Sequence, residues 1–467
     1  MSYAQAIEQL YALGHELAQQ SGAASSGPVS AASPVPADRA PRRKFNLEQM
    51  RLLMAALGNP ERQFRSVLIA GTNGKGSTAA MLAGIVQAAG YRVGLYTSPH
   101  LSRINERVQI DGATISDDDF ARLYFLVDEA GAQLLRAGTL PQHPSFFEMM
   151  TAVGLLYFAE RNVDLAVLEV GMGGRLDATN IVDPLLSIIT DISLDHTEWL
   201  GVTIDAIARE KAGILRPKGI LVTLPQHPEA NQALGEVATA LGVRGVNAAE
   251  YMPASHPSHN AAGGGAYLIV IQNRPVEIAL PLAGDHQHRN AALAIAAAVE
   301  LCNEYSYKIG PNHIEEGIRS TRWPGRLEFF PPTESRCAVL LDAAHNPAGA
   351  WSLRSALREK AEDSANARKT LLFGCLRDKA YAEMAQILFP IFDRIVLTPV
   401  DSPRSVAVED LLPVSESVGV PATIAVSPAA GFETALKQTP KDGLLVCTGS
   451  IYLIGSARTA LLERREK

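Results

Sequence analysis

Apolar positions along the chain follow two alternating rhythms. Short continuous apolar runs, the mark of strands buried on both faces, stand at Val67-Leu68-Ile69 and within Arg92 to Thr97, Asp164 to Val170, Leu185 to Thr190 and Gly219 to Leu224. Between them apolar residues return at helical spacing, over Ala79 to Ala89, Asp117 to Ala137, Phe146 to Glu160 and Ile204 to Leu215. This alternation predicts an α/β fold, a mostly parallel sheet with helices on both faces. Gly263 to Pro281 breaks the rhythm with two β-like runs, read as an antiparallel extension. A very apolar helix over His288 to Leu301 and a helical segment over Asn312 to Ser320 follow. Trp323-Pro324-Gly325 reads as a hinge. Beyond it, runs at Cys337 to Asp342, Leu371 to Gly374, Arg394 to Thr398, Thr423 to Val426 and Leu444 to Thr448 predict a second, smaller nucleotide-fold sheet. The expected division is 1–320 and 321–467.

Upstream, an amphipathic helix carries Ile7, Leu10, Tyr11 and Leu17, and a second runs from Phe45 to Leu57, ending at the Gly58-Asn59-Pro60 turn. Ser21 to Pro41 between them is rich in Ser, Ala and Pro with almost no large apolar side chain, and reads as a linker or long surface loop.

Composition narrows the class. With 47% apolar and 19% charged residues over 467 positions, the chain is an ordinary globular protein of two or three domains. A net charge of −7 and the lack of a dense Lys/Arg run argue against nucleic acid as a partner. Cys302, Cys337, Cys375 and Cys447 are widely spaced and form no Cys-x-x-Cys pair, so neither a disulfide framework nor a thiolate metal site is expected. No signal-peptide pattern opens the chain, and no stretch nears the ~20 apolar residues of a membrane span. A cytoplasmic monomer acting on small molecules is expected.

The chemistry centres on Gly71-Thr72-Asn73-Gly74-Lys75-Gly76-Ser77, set between a buried strand and a helix. Glycines that let the backbone approach, and a helix N-terminus, make a phosphate cradle; Lys75 can reach terminal phosphates, and Ser77 or Thr78 can place a hydroxyl on a magnesium ion. In the general P-loop pattern the hydroxyl residue follows the lysine directly, whereas here Gly76 intervenes. Glu169 ends a buried run and should emerge at the sheet edge, where a cation would offset its burial. Asp195-His196-Thr197 lies past another strand, and Thr97-Ser98-Pro99-His100 past a third. A lone histidine more often hydrogen-bonds a loop than ligates a metal. Gly173 to Asn180 packs both charge signs into a short loop, whose plain reading is a turn stapled by Arg175 to Asp177. Lys211, near a helix C-terminus, reads from sequence as placed against the helix dipole.

Together these segments resemble the folylpolyglutamate synthase/dihydrofolate synthase family of the Mur ligase superfamily. The resemblance runs from about Phe45 to Ser456. It is carried by Gly71 to Ser77 with its intervening glycine, Thr97 to Leu101, Glu169 to Asn180, Leu194 to Thr197, Glu210 to Ile214, His286 to Asn290, Trp323 to Arg326 and Asp342 to Pro347. It implies a P-loop Mur-ligase-type central domain and a smaller Rossmann-like C-terminal domain. The implied activity is an ATP-dependent ligase that adds L-glutamate to folate, and to 7,8-dihydropteroate, through an acyl phosphate. Carried over by position, Ser98, Glu169 and His196 match magnesium ligands, and Lys211 matches a lysine that the family carbamylates, which reverses the dipole reading. Lys75, His196 and Lys211 match catalytic positions. Thr72, Asn73, Gly74, Lys75, Gly76, Ser77, Asn290, Arg326 and Asp342 match ATP contacts, so ATP should be clamped between domains. Ser145, Phe146, Phe147, Glu148, Leu176, Asp177, Ala178 and His345 match the substrate side, although core packing is the expected role of at least one phenylalanine and helix capping an equal reading of His345. Lys44-Phe45-Asn46-Leu47 stands where the family has a glycine-containing entry. The rival readings are another Mur-type amide ligase and a regulator that kept the nucleotide fold but lost turnover. The folate-like Phe146 to Glu148 and Leu176 to Ala178 weigh against the first, and the intact phosphate and metal set against the second.

Overall fold

At the centre of a computed structural model of the chain lies the strand Arg65–Ala70, whose residues from Ser66 on are buried. The structure describes residues 2–14, 47–254, 258–259, 265–362 and 368–464. The 21–41 stretch, residues 15–17 of the first helix pattern and the Lys44-Phe45-Asn46 entry lie outside the described residues. Along the central strand, Val67 and Ile69 join one apolar core and Leu68 and Ala70 another, because successive side chains point to opposite faces. Parallel neighbours flank it on either side. The sheet runs Ala113–Thr114, Val108–Ile110, Val93–Tyr96, Leu165–Glu169, Arg65–Ala70, Leu186–Ile189, Ile220–Thr223, Arg244–Asn247, with only Val108–Ile110 running antiparallel to its neighbours. The chain leaves the central strand toward one edge and later returns to fill the other. The crevice at the carboxyl ends of the middle strands is therefore a topological switch point, the ligand position of open α/β sheets.

The helix Lys75–Ala88 leaves the phosphate loop and packs on the helices His286–Tyr305 and Pro311–Ser320. The small fully buried side chains Ala291, Ala292 and Ala294 let the first of these, His286–Tyr305, approach closely. The two β-runs after Gly263 do not extend the main sheet. They form a separate three-stranded antiparallel sheet of Arg274–Ala279, Gly265–Ile271 and Ser258–His259. Ile269, Ile271, Val276 and Ile278 join the same core as His286–Tyr305, while Leu268 and Val270 point outward, so this sheet has one buried face and needs no strand partner from the main sheet.

After Trp323-Pro324-Gly325 a second sheet runs Glu328–Phe330, Ala338–Leu341, Leu444–Thr448, Lys369–Phe373, Arg394–Leu397, Ala422–Ile424, antiparallel only at its first strand. It has its own cores on both faces. The carboxyl ends of its strands, near Asp342, Leu376 and Gly449, face the crevice of the first sheet. Two sheet edges thus look onto one cleft.

Candidate active site

The cleft has a volume of about 500 Å³ and is walled by both units. At its floor the amides of Thr72 and Asn73 donate to the Asp191 carbonyl at 2.8 and 3.2 Å, tying the phosphate loop to the neighbouring strand's end. Gly74 to Ser77 turn toward the cleft. Gly74 has φ +88°, and a Cβ there would lie 2.1 Å from Asn290 Oδ1, so the position needs glycine twice over. Gly76 explains the departure from the general P-loop pattern. A Cβ at this position would come within 3.0 Å of the Trp323 indole and 3.3 Å of the Glu169 carboxylate.

Lys75 Nζ donates to the Thr72 carbonyl at 3.1 Å. Burial pushes its pKa down, against the attraction of Glu169 and Asp195. Glu169 Oε2 accepts from the Ser98 amide at 3.1 Å; burial pushes this carboxyl up, and Lys75 opposes the shift. Lys211 is 3% exposed. Thr203 caps the start of the helix Ile204–Ala212, which delivers Lys211 in its last turn, and its Nζ donates to the Gly71 carbonyl at 2.7 Å. The lysine reaches across to the phosphate loop, and burial together with Lys75 lowers its pKa to about 7.

His196 has φ +51° and precedes the short helix Thr197–Leu200. Burial and Lys379 lower its pKa to about 3, so at neutral pH it is an uncharged imidazole able to accept a cation. Burial alone would raise Asp195, but Lys379, 2.6 Å away, with His196 and His345, holds it well below the usual carboxylate range. Asn290 donates to Gln287 at 2.8 Å, and Arg289 clamps Asp191 through two bonds, Nε to Oδ2 at 2.8 Å and Nη2 to Oδ1 at 2.6 Å. Asp342 accepts the amides of Leu327 and Ala344, each at 3.0 Å, so its carboxylate holds the hinge; burial raises its pKa against Arg326. His345 Nδ1 lies 2.8 Å from the Ala343 carbonyl, and burial and Lys379 pull its pKa to about 4.

On the substrate side, Ser145 and Glu148 form a capping box that starts the helix Phe146–Glu160, with Ser145 Oγ donating to Glu148 Oε2 at 2.6 Å. Phe147 lines the cleft and packs against Gly171, where a Cβ would lie 2.2 Å from its ring. Phe146 does not share that wall. It turns into the core, stacked on Tyr11 and under the Arg107 guanidinium. Leu176, Asp177 and Ala178 line the cleft. Asp177 accepts from Thr179 and from the Met172 amide at 3.0 Å, and Arg175 pairs with Glu210 at 2.7 Å. The loop is therefore stapled through Glu210 and Thr179. No group of three or more His, Cys, Asp and Glu side chains among the described residues is spaced to hold a metal. The expected set has two such residues plus a hydroxyl, which suits magnesium, an ion that keeps water or phosphate oxygens in most of its shell.

The Mur ligase middle domain model matches residues 69–298, and the Mur ligase, glutamate ligase domain model matches residues 325–451. The dihydrofolate synthase/folylpolyglutamate synthase of Bacillus subtilis is 35% identical over 419 residues, 90% of this chain and 95% of the relative. The chain belongs to the folylpolyglutamate synthase/dihydrofolate synthase family. Among solved members of that family, the Mycobacterium tuberculosis folylpolyglutamate synthase complexed with ADP and AMPPCP superposes with a TM-score of 0.80 at 33% identity, covering 89% of this chain and 95% of that one. The E. coli FolC in complex with DHPP and ADP gives 0.80 at 28% identity, covering 100% and 99%.

The synthase cleft also gathers residues that the sequence motifs passed over. Lys379 and Arg404 come from the second sheet and Trp199 from the first; Asn346, inside the Asp342 to Pro347 motif but given no role there, lies beside Asp195. Lys379 and Arg404 lie outside any glycine-rich run; their one signal is position after a buried strand, at a carboxyl sheet edge.

Proposed function

We propose that the chain is an ATP-dependent ligase that joins L-glutamate to the carboxylate of folate, and to that of 7,8-dihydropteroate, through an acyl phosphate. The observation that supports this best is the cleft itself. A phosphate loop with three lysines in reach lies between the carboxyl edges of two sheets, beside an apolar end made by Leu47, Met50, Phe147, Met172, Trp199 and Leu200. The cationic part suits triphosphate and carboxylate held together, and the apolar part suits a flat pterin ring. ATP would lie across Thr72 to Ser77, Asn290, Arg326 and Asp342, between the units 1–320 and 321–467.

Lys75 would stabilise charge developing on the transferred phosphoryl group, and the cleft would keep water from the acyl phosphate until the glutamate amine attacks and phosphate leaves. Ser98, Glu169 and His196, with triphosphate oxygens, would hold Mg2+. Bound there, the ion supplies charge neutralisation and polarises the phosphoryl oxygens. Carbamylation of Lys211 would turn a buried cation into an anionic donor facing it. His345 would sit on the glutamate side.

The test is phosphate release by the purified chain with ATP, Mg2+ and glutamate, comparing dihydropteroate, tetrahydrofolate and no pterin. Release with both is expected. Release with tetrahydrofolate alone would mean a tail-extending enzyme, and release with neither would overturn the reading. Lys75→Ala and His196→Ala should fold and lose on the order of 100-fold or more in kcat. Wild-type rates in either would remove its assigned role.

A further inference from the structure

The two units meet inside the cleft through a buried polar knot centred on Asp195 and Lys379, to which the reaction described above gives no role. Asp195 is its hub. Lys379 Nζ, from the loop after the strand Lys369–Phe373, lies 2.6 Å from Asp195 Oδ1 and 3.3 Å from His196 Nε2. Asn346 Nδ2 donates to Asp195 Oδ2 at 3.2 Å and to Asn73 Oδ1 at 2.9 Å. The His196 amide donates to Asp195 Oδ1 at 2.8 Å. Asp195 and Asn73 belong to the first unit, Lys379 and Asn346 to the second.

The Lys379 and Asp195 side chains are only 7% and 8% exposed. Two charges so shielded give up much of their hydration, and such a pair adds little net stability compared with apolar packing; its best-attested use is to fix register. Register matters here because each unit carries half of the chemistry. The phosphate loop and His196 stand on one side, and His345, next to Asn346 in sequence, on the other. Misplacing reacting groups by about an ångström costs on the order of 100-fold in rate.

We infer that Asp195 and Lys379 are positioning residues. Their ion pair, with the Asn73–Asn346 contact beside it, sets the register in which the second unit meets the phosphate loop and His196. The inference rests on the ligase reading for its kinetic consequence, but its structural consequence can be read without turnover. A pair that merely added stability would shift the melting temperature and leave kcat alone.

The full chain is compared with Lys379→Gln, Asp195→Asn, the double variant and Lys379→Arg, by steady-state kinetics and by small-angle X-ray scattering, with thermal melting to check folding. The Gln and Asn variants should lose on the order of 10–100-fold in kcat while KM for ATP changes by less than about threefold. The double variant should lose no more than the worse single one, the Arg variant should recover much of the loss, and the radius of gyration of the Gln and Asn variants should exceed that of wild type. Retained kcat, a double-variant loss equal to the product of the single losses, or an unchanged radius would overturn the inference. Should Lys379→Gln fail to fold, the isosteric Asp195→Asn carries the same kinetic and scattering criteria. If the wild type itself does not ligate glutamate, the ligase reading falls, and the scattering still decides the register.

Discussion

Lys211 is a cation that the fold has placed where a cation is costly. Its ammonium has the Gly71 carbonyl for a partner, Lys75 repels it, and burial removes its water, so the free amine is favoured from about pH 7 upward. Only the free amine attacks carbon dioxide. We therefore expect a carbon-13 carbamate signal on Lys211 when the protein is equilibrated with labelled bicarbonate at pH 8, declining as pH falls through about 7. No signal under saturating bicarbonate would return this lysine to a purely electrostatic role. The sequence alone offered the helix dipole, a reasonable reading of a lysine in a last turn. What it lacked was the long-range contact to residue 71.

The helix His286–Tyr305 acts as a brace for the phosphate loop. Arg289 grips Asp191 from this helix, and the Asp191 carbonyl in turn holds the Thr72 and Asn73 amides. Both side chains of the clamp are partly exposed, so Arg289→Leu should cost only about 1 kcal/mol in denaturant melts. Its larger effect should be a raised KM for ATP with kcat nearly kept, since the loop loses definition while Lys75 remains; an unchanged KM would show that the loop holds itself. Elements buried on both faces were legible from the chain, which is why the central strands and Lys75–Ala88 fall where the apolar runs put them. Several edge strands were not. Arg244-Gly245-Val246-Asn247 and Glu328-Phe329-Phe330 become strands by pairing with a neighbour, and Ala113–Thr114 is exposed, so no apolar run marks them. The same limit applies in the site. The glycine-rich and carboxylate-bearing motifs were readable as chemistry, but Lys379 and Asn346 gain their meaning from a second sheet that folds back onto the first, and Phe146 and Phe147, adjacent in sequence, part company on a helix face.

As a whole, the molecule keeps several histidines uncharged around its inter-unit spaces. His100 is lowered to about 3 by burial and Arg107, His286 to about 4 by burial and Arg326, and His345 to about 4 by burial and Lys379. In the unfolded chain each titrates near 6.5, so between pH 6.5 and about 4 the unfolded state takes up protons that the native state refuses. Stability from these groups is complete above pH 6.5 and is lost as pH falls toward 4. Asp195, held low, adds a further loss only in stronger acid. The melting temperature should therefore drop between pH 7 and pH 5, and a flat profile over that interval would contradict the histidine environments. The hinge carries a different consequence. Trp323 belongs to the segment that joins the two sheets, yet its indole is what a side chain at position 76 would strike. The halves are for that reason poor modules. Grafting the second sheet of a relative onto this first one, or splitting the chain at 320, would carry off part of the phosphate loop's own wall, so positions 76 and 323 are expected to be inherited as a pair.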